Sequence, residues 1–423
     1  MASSREKQRK SGEHPNETQP LLVSERSVSF EDGAGAGSLR RGESVWEDAV
    51  DILKLGFPIF LSSLSWVGKK TTDTALLGHV NQEALAAAAL SDLWTMTSQV
   101  LLNGRILGVL VGGAVGAGNK TLAGVYLQVS YVVLFSVSII VIVAWNMTEQ
   151  IWLWFGSDAE ISHMAGYYAR TLSTAIPAMI AFNQLAQFFS AQRIMHPEVN
   201  SAALGLTANL LFGLIFVLGW PIANFEGYGF VACPAVTATV TYLQLGFILL
   251  VYVKIQQLHA PAWPGWKASN ITRERVKTFC DLYFPAALSS ASDFWRVAVI
   301  GMVAAKLGET EVAVFNTAYR IMWIALIFVG ALASASAINM SLRLGKMDPF
   351  GARQAGHVGI AMSFVMLLIL SIFIVFRSRW FGMIFTNDEE FLDKFEQAVV
   401  PFTLTLFFMN LSVAIERIPY SMG

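Results

Sequence analysis

Two carboxylates interrupt long apolar segments of this 423-residue chain: Asp73, near the outer end of the first, and Asp293, within the run SASDFW midway along the seventh. A charge at lipid depth costs about 3 kcal/mol even on insertion scales, so such groups persist mainly where they do something. A carboxylate so placed can take a proton from one side of a membrane and release it when its surroundings hydrate. Each also has cations close by in sequence. Lys69 and Lys70 lie four and three residues before Asp73, and Arg296 lies three after Asp293, spacings that put side chains on neighbouring helix faces. Two readings stand for these cations: static ion pairs, or holders that keep the carboxylates until a proton or a solute releases them. Asp73 has a third, an exposed helix end. Arg105, beside Gln99 in the second apolar segment, either lines a cavity or snorkels to a partner.

The elements that must position these groups are membrane helices. Of the residues, 54% are hydrophobic and 14% charged, and the mean hydropathy is +0.52, whereas soluble domains carry about 25% charged residues. Apolar runs of roughly 18 or more residues number about ten. They fall near 49–75, 87–112, 123–145, 166–190, 199–221, 229–253, 279–305, 312–336, 356–376 and 398–419. Lipid offers no partner for a backbone amide, so all are expected to be helical. Cations such as Lys120, Arg193, Lys254, Arg275, Arg343 and Arg353 collect in the even-to-odd connections, which the positive-inside pattern puts in the cytosol.

The opening decapeptide of the first segment, Gly56 to Ser65 (GFPIFLSSLS), returns as Tyr283 to Ser292 (YFPAALSSAS), a shift of 227 positions that also lays Arg296 over Lys69. Leu77-Gly78 is echoed by Leu307-Gly308, and Gly116 by Gly345. Two like halves are the signature of a secondary transporter, with its site between the repeats. The expected architecture is an all-α polytopic membrane protein of two six-helix bundles in pseudo-twofold repeat. Residues 1–45 form a polar cytosolic tail, 46–255 a six-span amino-terminal bundle, 256–278 a cytosolic linker, and 279–423 a carboxy-terminal bundle with about four spans. The second bundle is therefore expected to lack two spans. Within the tail, Glu17 to Leu22 spells ETQPLL, an acidic di-leucine form with Glu17, Leu21 and Leu22 as its key positions. It suggests trafficking adaptors as partners and a vacuolar or endosomal membrane, with the plasma membrane as the alternative.

Several runs resemble the multidrug and toxic compound extrusion family, in its eukaryotic form. TDTALLGHVNQEALAAAAL (Thr72 to Leu90) is similar to its first helix and loop, and VGAGNKTLAGVYLQ (Val115 to Gln128) to its cytosolic glycine turn. FSAQRIMHPEVNSA (Phe189 to Ala202) is similar to its fourth-to-fifth helix loop, and ASASAINMSLRLGKMDPFGARQA (Ala333 to Ala355) to its eighth-helix segment. The resemblance implies twelve helices in two bundles and export of organic compounds in exchange for protons or sodium. It assigns ion coupling to Asp73, matches Asn209 and Thr239 to polar positions of the ion site, and makes Asp293 the carboxylate of the second bundle. The alternative for Asn209 and Thr239 is that they tie helices together. Relatives carry a further carboxylate where this chain has Gly213, which favours protons over sodium. Trp66, Phe294, Trp295, Tyr319 and Trp323 are candidates for an aromatic cavity lining that offers cation–π faces. Lys69, Arg105 and Arg296 permit the opposite preference, for organic acids such as citrate or a flavonoid conjugate. A flippase for lipid-linked oligosaccharides, from the wider superfamily, is the remaining alternative.

Other classes fit poorly. The net charge of −1 argues against nucleic acid as a partner, and Cys233 and Cys280 lack metal-binding spacing. GGAVGAGNKT (Gly112 to Thr121) is not a phosphate loop, because Asn119 separates the last glycine from Lys120 and the segment ends a membrane helix instead of a strand. No His, Glu or Cys cluster at catalytic spacing points to an enzyme. The expected partners are a small organic solute and the bilayer, with a proton gradient and no cofactor, in a monomer.

Overall fold

A computed structural model describes residues 44–102, 106–222, 224–305, 309–383 and 389–422, with the side chain of Asp293 among those on its helix that are left undescribed. Every regular element among the described residues is helical. In chain order they are α1 (Val45–Val80), α2 (Gln82–Gln99), α3 (Ile106–Gly116), α4 (Lys120–Asn146), α5 (Thr148–Trp154), α6 (Ala159–Ser173) and α7 (Ile176–Ala191). There follow α8 (His196–Phe212), α9 (Ala232–Phe247), α10 (Arg273–Ala305), α11 (Glu309–Gly345), α12 (Pro349–Phe376), α13 (Ser378–Met383) and α14 (Glu389–Met422).

Local chemistry sets the ends of α1. Ser44 opens it with a capping box: its hydroxyl accepts from the Trp46 amide, and Glu47 reaches back to the Ser44 amide at 2.9 Å. At the far end Asn81 accepts from the Ala84 amide at 2.6 Å and so starts α2. The repeated decapeptide places Pro58 inside α1 and Pro285 inside α10, helices of 36 and 33 residues.

Eight helical segments among the described residues are long and apolar enough to span a bilayer. Two of the ten expected spans differ. The run 166–190 divides into α6 and α7: the Thr174 and Ala175 amides turn back three residues, to Thr171 and Leu172, and Pro177 has no amide to continue the ladder. The run 279–305 lies within α10. The short helix α5 occupies a stretch expected to be loop, and exposes Trp154 and leaves the following Phe155 exposed. Large apolar side chains such as Ile139, Ile140 and Ile369 cover the outer faces, as lipid contact requires.

Separate apolar cores hold the halves. The largest packs α3, α4 and α7 and takes in Phe279 and Tyr283 of α10, whose Tyr283 hydroxyl donates to the Leu101 carbonyl at 2.7 Å. A second joins α11, α12 and α14. A third runs along the seam between α1 and α11, with Ile52, Leu55 and Ile59 against Leu332, Ala335, Ile338 and Leu342. The carboxy-terminal end of α3 also meets α11 almost backbone to backbone: a Cβ at Gly116 would overlap the Leu342 carbonyl, and one at Gly345 the Gly113 carbonyl. Such small-residue contact is a usual way for helices to associate in lipid.

Candidate ion and solute site

Above that seam the halves part around a cavity of about 430 Å³. One stripe of α1 lines it: Ile59, Ser62, Trp66, Lys69 and Asp73 recur at steps of three and four, the spacing of a single helix face. Trp323, Ile327, Gly330 and Ser334 of α11 form the opposite wall with the same steps, and Arg417 of α14 joins them. Across the gap the Trp66 and Trp323 rings stack with centroids 6.1 Å apart, and lower down Phe60 stacks on Phe328 at 4.2 Å.

Asp73 is 3% exposed, with a hydrogen bond to each carboxylate oxygen. Asn209 of α8, itself fully buried, donates Nδ2 to Oδ1 at 2.8 Å, and Thr237 of α9 donates its hydroxyl to Oδ2 at 2.9 Å. The Thr237 Oγ also lies 3.2 Å from the Cys233 carbonyl. A hydroxyl has one hydrogen and two lone pairs, so Thr237 serves an ionised Asp73 by donating to it. It serves a protonated Asp73 by accepting from it and turning its own hydrogen to Cys233. Both charge states are accommodated without moving a heavy atom.

Neither lysine takes the static-pair role with Asp73. Lys70 Nζ pairs with Asp92 of α2 at 2.6 Å. Lys69 Nζ donates to Gln244 Oε1 of α9 at 2.7 Å, and Gln244 in turn donates Nε2 to the Ser201 carbonyl at 2.9 Å. Both ammonium groups are instead held by tertiary partners, on α2 and α9. The space a side chain at Gly213 would need is taken by Leu76, so no further oxygen donor enters from that position.

The remaining sequence candidates are distributed unevenly. Thr239 is exposed on the outer side of α9, and Thr237 stands where it was expected: two residues along a helix turn a side chain by roughly 200°. Trp295 is 45% exposed and Arg296 exposed on α10, and neither is among the described residues lining the cavity. Tyr319 is one turn removed from the lining and packs edge-on against Trp323. Gln99 is among the residues lining the cavity. The side chain of Asp293, together with Arg105, Glu17, Leu21 and Leu22, lies outside the described residues. Sequence reasoning missed Gln244, Glu198 and Arg417, all cavity-lining polar residues in otherwise apolar helices; intramembrane polarity was the available signal.

The difference between Thr237 and Thr239 is measurable. Thr237→Val is expected to reduce gradient-driven transport roughly tenfold, since a hydrogen bond to a charged group contributes about 1.5–3 kcal/mol. Thr239→Val is expected to leave the rate unchanged. Equal rates in the two variants would exclude Thr237 from the site.

A sequence model of the MatE family matches residues 58–215 and 285–423, one stretch in each repeat. An uncharacterized transporter of Schizosaccharomyces pombe is 24% identical over 88% of this chain and 68% of its own. Multidrug and toxin extrusion protein 1 of Danio rerio is 23% identical over 84% of this chain and 59% of its own. The chain thus spans about three fifths to two thirds of the length of these curated relatives. The crystal structure of the eukaryotic MATE transporter AtDTX14 superimposes with a TM-score of 0.80 at 19% identity, covering 90% of this chain and 84% of that one.

Proposed function

This chain belongs to the MatE family, a family of multi-pass membrane transporters, and from that premise we propose that it is a secondary antiporter that exports organic compounds in exchange for protons by alternating access. The observation that carries the reading is Asp73, buried at the cavity wall between Asn209 and a threonine able to serve both of its protonation states. When Asp73 is ionised, its charge and the Trp66 and Trp323 faces favour an organic cation in the cavity. A proton on Asp73 cancels that charge and releases the solute. Because a ligand shifts a two-state equilibrium only through unequal affinity, proton and solute must prefer opposite states. A proton asks for one carboxylate, whereas sodium asks for several oxygens, and Leu76 occupies the space of one candidate donor. The Glu17, Leu21 and Leu22 motif favours a vacuolar or endosomal membrane for this activity.

A second reading has its own observation. Lys69 faces the cavity with a neutral amide as its hydrogen-bond partner, which suits an organic acid. The sign of the coupling separates the two. An anion near Lys69 is favoured when Asp73 is protonated, so it travels with the proton, while a cation competes with the proton and travels against it. In proteoliposomes under an imposed pH gradient, tetraphenylphosphonium is expected to move against proton flow and citrate to stay put. Movement of citrate along the proton flow would replace the first reading with the second; gradient-independent rates for both would overturn proton coupling.

A further inference from the structure

The end of the molecule below the cavity is closed by polar contacts that transport chemistry at Asp73 does not use. Asp48, in the first turn of α1, is 1% exposed. Its carboxylate receives both terminal nitrogens of Arg343, from the last turn of α11: Nη2 on Oδ1, and Nη1 on Oδ2 at 3.3 Å. Gln354 of α12 adds Nε2 on Oδ2 at 2.8 Å, and Arg343 is itself held by the Gly351 carbonyl at 2.7 Å. One carboxylate of the first half thus gathers three donors from the second. Alongside, Arg193 in the α7–α8 connection donates to Asp51 at 3.2 Å and across the seam to Asn339 at 2.7 Å. Arg193 adopts a φ of +63°, a left-handed backbone that non-glycine residues seldom take without constraint.

The position of this cluster relative to the cavity is set by helix geometry. Ile59, the lowest cavity residue on α1, is eleven residues beyond Asp48, and Ser334 on α11 is nine before Arg343. At 1.5 Å per residue the cluster lies about 16 Å below the cavity on one half and about 14 Å on the other. Between them runs the lower part of the apolar seam, Ile52 and Leu55 of α1 with Ala335, Ile338 and Leu342 of α11. The end concerned carries the cationic loops, which the charge bias assigns to the cytosol.

We propose that Asp48, Arg343 and Gln354 form a latch that seals the cytosolic mouth of the cavity, and that its opening is the step that admits solute from that side. A buried bidentate pair is a poor source of stability but a good device for register, because separating it strands two charges unless water enters with the separation. The latch therefore has two states, closed and dry or open and hydrated, with little between. Its assignment to solute entry rests on the antiporter reading above; its behaviour as a gate does not.

Thiol labelling tests the gate without solute or gradient. In full-length protein carrying Cys233→Ala and Cys280→Ser, a reporter Ile338→Cys sits in the seam, and Leu367→Cys reports from the separate core of α11, α12 and α14. Asp48→Asn is expected to raise labelling of the Ile338→Cys reporter by an impermeant maleimide at least about tenfold and to leave the Leu367→Cys reporter unreactive. Arg343→Gln is expected to match it, and the two together to exceed neither, since either opens the same latch. Arg193→Ala, at a half-exposed position beside the latch, is expected to give a smaller rise of about threefold. Unchanged labelling at Ile338→Cys, or equal rises at both reporters, overturns the latch. Labelling as expected in a protein that moves no tetraphenylphosphonium overturns the antiporter reading and leaves the latch standing.

Discussion

Asp73→Asn is expected to abolish gradient-driven movement of tetraphenylphosphonium, down to the leak of protein-free vesicles, while the protein folds and melts as before. The reason is geometric. An asparagine there still accepts from Asn209 at the oxygen, donates from its amide to the Thr237 hydroxyl, and lets Thr237 turn to the Cys233 carbonyl, bonds for which the native atoms are already spaced at 2.8, 2.9 and 3.2 Å. It is a fixed mimic of the protonated aspartic acid, with these three bonds kept and the titration removed. The check is paired: uptake under an imposed pH gradient, and thermal melting of the purified variant. Full-rate uptake would remove Asp73 from coupling, and a collapse in melting temperature would mean that the cluster is structural.

Gly116→Leu is expected to be the most damaging single change where α3 meets α11. Its Cβ would overlap the Leu342 carbonyl, and the facing Gly345 has no room to withdraw because its own neighbour is the Gly113 carbonyl. Forcing extra volume into a packed contact costs about 1–3 kcal/mol and often more where the obstacle is backbone. At about 2–4 °C per kcal/mol, a loss of roughly 2–12 °C in melting temperature is expected, with reduced yield. Gly108→Ala, on the same helix with nothing within 4 Å of a new Cβ, is the control and is expected to be neutral or slightly stabilising, since alanine favours helix over glycine by roughly 0.5–1 kcal/mol. Melting of Gly116→Leu at the native temperature would show that α3 and α11 are free to separate.

How much of the site was legible follows from the reach of each signal. Asp73 stands out as a carboxylate within an apolar run, Asn209 is pointed to by the family resemblance, and the structure brings them to 2.8 Å. Thr239 was wrong by two positions, since a threonine reads the same in sequence on either face of α9, and only the packing of α9 against α1 and α8 decides that Thr237 points inward. Lys69 and Lys70 looked like partners for Asp73 from spacing alone, yet Gln244 and Asp92, 175 and 22 residues away, hold them. The latch was invisible: Asp48 and Arg343 are 295 residues apart, and each looks like an ordinary charge at a helix end.

The sequence by itself determined that this protein is a helical membrane body of two related halves. Hydropathy and a repeated decapeptide are properties of the chain that lipid reads directly, through the cost of an unpaired amide or an exposed charge. Which faces of those helices meet was decided only by tertiary structure. Asp73 with Thr237, the aromatic pair Trp66 and Trp323, and the closure of Asp48 on Arg343 all depend on angles between helices far apart in the chain, and such angles are set by how side chains interdigitate and how near small residues let backbones come.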